Sequence, residues 1–109
     1  MSELPDPPQT YEAFRRHFPK LGQAWEALAV AGRDGPLDER TVRLVKLAVA
    51  VGALRQGAVH ADVRKALALG VSRAEVAQVL ALAAGTIGLP ATVAVFSWVR
   101  DLIEDVAQP

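Results

Sequence analysis

The chain has 109 residues, enough for one domain with a core and too few for a second. Apolar side chains make up 51% and charged ones 22%, and 12 Lys plus Arg balance 12 Asp plus Glu. That balance gives no electrostatic reason to bind nucleic acid or an anionic membrane surface, and the absence of cysteine excludes disulfides, thiolate nucleophiles and cysteine-held metals.

Residues 1–9 contain three prolines and no periodicity, which predicts a loose lead-in before a single domain over residues 10–109. The opening MSELPDPPQT is polar and acidic, the opposite of a secretory signal, and no apolar stretch reaches the roughly 20 residues that cross a bilayer. The expected place is the cytoplasm. Thr10 can cap a short helix whose apolar edge is Tyr11, Phe14 and Phe18. Arg15, Arg16, His17 and Lys20 gather at its end. They make either an anion site or a solvated helix terminus, and the neutral overall charge favours the second. Pro19 suits a first helical turn, and a second helix is expected from there to Ala31, with Leu21, Ala24, Trp25, Leu28 and Ala29 on one face.

Gly32 and Gly35-Pro36 break the chain, and Asp38 is a good N-cap for a third helix. Leu37 is placed to pack on Val42 as a hydrophobic staple, and Glu39 sits near the helix's positive end. Val42 to Leu54 reads VRLVKLAVAVGAL, apolar on every side except Arg43 and Lys46. A helix of that kind is expected in the middle of something. It should fade between Gly52 and Gly57, where another begins and runs to Leu69 with Val59, Val63, Ala66 and Leu67 inward. Gly70 is the expected left-handed stop. Ser72 and Glu75 form a capping box for a further, nearly all-apolar helix. Gly85 to Pro90 ends it, and a last helix is expected from about Pro90 to Val106. Its apolar edges are Val95, Trp98, Leu102 and Val106 on one side and Phe96, Val99 and Ile103 on the other. The fold class is all-α, with about six helices.

Most conventional sites fall away. Two histidines on separate helices, without paired acids at ligand spacing, make a poor metal site, and no cofactor is expected. Ser72 is explained as a cap, and Ser97 has no base nearby. Gly85 to Gly88 lacks the lysine and strand of a phosphate loop. Trp25 and Trp98 read as core or interface anchors.

Two stretches carry a resemblance. LDERTVRLVKLAVAVGA, then GAVHADVRKALALGVSRAEVAQVLALAAGTIGLPATVAVFSWVRDLIED, is similar to the carboxymuconolactone decarboxylase family, which includes the alkylhydroperoxidase D-like proteins. It covers roughly residues 37 to 105. Its most specific parts are the apolar helix leading to His60, H-x-x-x-R-K-A-L-x-x-G, S-x-x-E and the G-x-P-A turn. The resemblance implies an all-helical protomer of alkylhydroperoxidase D-like fold that assembles as a homotrimer or homohexamer. The two all-apolar helices point the same way, because one small protomer has little left to cover them.

The family's redox branch carries C-x-x-C-x-x-x-H. Here the histidine place is His60, and the cysteine places hold Ala53 and Gln56. A cysteine-based peroxidase is therefore excluded. The family's supporting carboxylate lies about five helical turns upstream, which lands on Thr41 by counting and on Arg43 by aligning the apolar runs. The nearest acid is Glu39.

The decarboxylase branch needs no thiol. Loss of carbon dioxide from a carboxylated lactone leaves electrons to be delocalised and then protonated, which suits a histidine, while an arginine suits the carboxylate. Gln56, His60 and Arg64 are spaced i−4, i, i+4 and form one polar stripe. In one reading His60 is the catalytic acid or base, and Gln56 and Arg64 bind a small carboxylated substrate. In the other the stripe is a polar helix flank, on a non-catalytic, cysteine-less relative serving as an oligomeric small-molecule-binding or scaffold protein.

Overall fold

The computed structural model describes residues 9–104, which hold six helices and no strand. They are α1 (Gln9–His17), α2 (Pro19–Arg33), α3 (Glu39–Gly52), α4 (Gln56–Leu69), α5 (Arg73–Ile87) and α6 (Leu89–Ile103). The expected lead-in lies outside the described residues except for Gln9, which opens α1, and so does Val106. Thr10 consequently sits inside the first turn of α1 and not at its cap.

Local chemistry explains where the body's helices start. The Asp38 carboxylate accepts from the Thr41 amide at 2.7 Å, which satisfies one free donor of α3. Ser72 Oγ accepts from the Glu75 amide at 3.1 Å, and Glu75 accepts from the Ser72 amide at 2.9 Å, so the capping box on α5 is complete. Pro90 lies in the first turn of α6, where its missing amide proton costs nothing.

Two helices stop in the same way with different residues. After α4, Gly70 takes φ +105°, its amide bonds Leu67 O, and the Val71 amide bonds Ala66 O. After α3 the same pair of bonds runs from Leu54 to Val51 O and from Arg55 to Ala50 O. Here the left-handed position is held by Leu54 at φ 55°. A β-carbon in that region meets the carbonyl oxygen and costs about 1–2 kcal/mol. The turn falls between Gly52 and Gly57 as expected, and both glycines lie inside the flanking helices.

Helices α3, α4, α5 and α6 form one body. Its core is aliphatic throughout: Leu47, Ala50 and Val51 from α3, Val59, Val63 and Ala66 from α4, Val76 and Leu80 from α5, Val95 and Val99 from α6. Trp98 and Leu67 pack on it half-buried. The Arg40–Glu75 ion pair joins the starts of α3 and α5, and Arg73 Nε donates to Leu102 O at 3.1 Å, joining α5 to α6.

Helices α1 and α2 pack on each other and scarcely touch that body. Tyr11 and Trp25 meet with their rings tilted by 60° and centroids 5.9 Å apart, and Arg15 lies against Gly22 and pairs with Glu26 at 3.4 Å. Arg15 is thus occupied, which supports the solvated-terminus reading of the basic cluster. The apolar face expected of α2 exists, but it faces water: Trp25 is 59% exposed and Leu28 72%. The all-apolar helices are likewise only half covered. α3 buries one stripe and leaves Val45 and Val49 exposed, and α5 leaves Leu82 71% exposed.

Candidate functional site

The turn at Leu54 fixes the start of α4, so Gln56 is its first residue, His60 lies one turn in and Arg64 one turn further. Val59 and Val63, fully buried on either side of His60 in sequence, hold that stretch of α4 against the core. The imidazole is half-buried as a result, on the flank of the buried face, while Gln56 and Arg64 are exposed. The three sequence-selected residues do share one flank, as the i±4 spacing requires. Arg64 takes part in none of the ion pairs formed among the described residues.

No supporting acid reaches His60 from α3. The two helices run in opposite directions from the turn, which brings the start of α3 level with the end of α4. Glu39 accordingly lines a groove of about 490 Å³ together with Arg43, Lys65 and Leu69. Leu69 is nine residues beyond His60, or about 13 Å along the helix axis. Thr41 lines a different groove, between α3 and α5, with Glu75 and Val79. The three upstream positions at which the sequence suggests an acid therefore all lie at the far end of α3. Neither groove is lined by Gln56, His60 or Arg64.

Asp62 is a titratable group that the sequence pattern does not single out. It is half-buried, and burial raises its carboxyl above the usual range, partly offset by Lys65, Lys46 and Arg43. A signal was present. Asp62 stands three residues after Val59 and four before Ala66, both fully buried, so its Cβ lies on the border of the inward face. It is roughly 200° around the helix from His60, too far for the two to act on one atom.

Among the described residues no group of three or more His, Asp or Glu side chains gathers at metal-ligand distance, and no helix is long and apolar enough to cross a membrane. Six helices, with a four-helix aliphatic body and a histidine near the head of that body's second helix, define an all-α helical protein. Residues 19–101 match the family model for the carboxymuconolactone decarboxylase family, and the chain belongs to that family. No curated protein and no solved structure matches it.

Proposed function

We propose that this chain is a thiol-free, carboxymuconolactone decarboxylase-like protein that works as a homo-oligomer, with His60 moving the proton in the decarboxylation of a small carboxylated lactone. The observation that carries this reading is the placement of His60: half-buried, between the fully buried Val59 and Val63 in sequence, and flanked one turn away by the exposed Gln56 and Arg64. Arg64, free of any ion pair among the described residues, is suited to a substrate carboxylate. The carbon–carboxylate bond breaks, its electron pair moves into the lactone's conjugated system, and imidazolium returns a proton to carbon before being recharged from water. Gln56 orients the ring or the lactone carbonyl. A neighbouring subunit closes the open side of the stripe.

The second reading is a non-catalytic oligomeric binding or scaffold protein. It is favoured by the distance of Glu39 from His60, since Glu39 lines a groove at the far end of α3 and α4. One assay separates the two: carbon dioxide release from a carboxymuconolactone by pure protein, with His60→Ala alongside. Turnover that disappears in His60→Ala, while light scattering shows an unchanged assembly, supports the enzyme. No turnover by the unaltered protein, or equal turnover by the variant, ends the catalytic reading.

A further inference from the structure

Two apolar surfaces are left without a partner among the described residues, and they match in length and apolar character. The first is α2. Leu21, Trp25 and Leu28 stand at i, i+4 and i+7, with Ala24, Ala29, Ala31 and Gly32 filling out the same side of the helix. No charged residue falls at its centre; Lys20 borders it beside Ala31, and Arg33 and Glu26 lie beyond Ala29. With Phe14 and Phe18 it leaves on the order of 500 Å² of apolar surface in water, the upper end of what a monomer's largest patch shows.

The second is the groove of about 530 Å³ between α3 and α5. Its walls are Leu44, Val45, Ala48, Val79, Leu82 and Ile87. The one charged residue on its rim, Glu75, is already neutralised by Arg40. It runs from Thr41 to Gly52 along α3, about 16 Å, and Leu21 to Gly32 on α2 spans about the same length.

The groove cannot be filled by the chain's own arm. Arg33, the last residue of α2, lies with Val42, Arg43 and Lys65 on the α4 side of α3. Thr41, Val45, Ala48 and Gly52, the α3 wall of the groove, are on the opposite side of that helix. We infer that the α1–α2 arm of one copy lays the Leu21–Trp25–Leu28 face of α2 into the α3–α5 groove of a second copy. This is helix-in-groove docking, with anchors one turn apart. Arm and groove together approach the roughly 1,000 Å² at which an interface becomes specific. The inference rests on the oligomeric part of the proposed function and is independent of its chemistry.

The absence of cysteine allows a direct test. Leu28 and Leu82 are both more than two-thirds exposed, so Leu28→Cys and Leu82→Cys leave the protomer core untouched. The two chains, differently tagged, are co-expressed and treated with a short bismaleimide. A covalent mixed dimer in the co-expressed sample, and none from either variant alone, is the expected result. Val30→Cys, on the far side of α2 and 54% exposed, should lower the mixed yield at least tenfold when it replaces Leu28→Cys. Cross-linking of either variant with itself, or equal yield from Val30→Cys, overturns the inference. An assembly without the mixed product also overturns it while leaving oligomerisation standing, and a monomer at micromolar concentration overturns both.

Discussion

The α3–α6 body and the α1–α2 arm are built from similar amphipathic sequence and come to opposite ends. The body places Leu47, Val51, Val59, Val63, Val76, Val95 and Val99 out of contact with water. The arm buries only Gly22 and turns Trp25 and Leu28 outward. The difference lies in what each helix has to pack on. Every body helix meets at least two others, whereas among the described residues α2 packs chiefly on the nine residues of α1. An apolar stripe specifies that a partner is needed without saying which chain supplies it.

The contrast is broken most sharply by paired truncations. Leu47→Ala empties space in a packed core and should cost about 2–5 kcal/mol, read by chemical denaturation. Leu28→Ala, at a site facing water, should stay within about 0.5 kcal/mol in dilute protein. Comparable losses at both positions under dilution would mean that the arm belongs to the body after all.

Ser72→Ala removes the hydroxyl that caps α5 and should cost about 1 kcal/mol. Its capping-box partner makes the body acid-sensitive. The side-chain bond from Arg40, with the bonds from Ser72 next in size, holds the Glu75 carboxyl at about 2, below its ordinary 4.5. A carboxyl with a lowered folded-state value contributes stability above 4.5 that is lost as pH falls toward 2. Glu75→Gln should therefore flatten that part of the acid-denaturation curve. An unchanged slope between those pH values would remove Glu75 from the account.

A smaller effect, of opposite sign, is expected at the turn between α3 and α4. Leu54→Gly relieves the left-handed β-carbon at φ 55° but adds freedom to the unfolded chain. The net is a gain of up to about 1 kcal/mol, seen as a higher denaturation midpoint. A loss would show that the half-exposed Leu54 side chain contributes more packing than its backbone strain takes away.

The smallest effect belongs to Asp62. Its carboxyl is raised by burial, so the folded protein holds that proton to higher pH than the unfolded chain does. Its contribution is present below the unfolded value of 3.8 and is lost as pH rises through the folded one. Asp62→Asn should lack that loss, so the variant's advantage in denaturation grows as pH rises above 3.8. A gap that shrinks with pH would mean that Lys65, Lys46 and Arg43 outweigh the burial.

Much of this was legible in the sequence because it is local. Asp38, Ser72, Glu75, Gly70 and Pro90 mark helix ends by chemistry confined to one turn, and each sits where the sequence places it. Val59, Val63 and Ala66 are inward as their period requires. The Leu54 turn was hidden because two nearby glycines offered an easier left-handed residue, and the chain uses neither. The i±4 spacing put Gln56, His60 and Arg64 on one flank, but whether Glu39 reaches them depends on the antiparallel pairing of α3 and α4, which no local pattern encodes. The exposed stripes of α2, α3 and α5 look buried in the sequence because periodicity reports two-sidedness alone.

The most direct test of this contrast is hydrogen exchange at two protein concentrations, one at tens of micromolar and one dilute enough to give monomers. Amides of Leu47, Val63 and Val95 should stay protected at both, while those of Trp25 and Leu28 should be protected only at the higher one. Arm amides equally protected in the dilute sample would contradict the account, as would body and arm amides losing protection together.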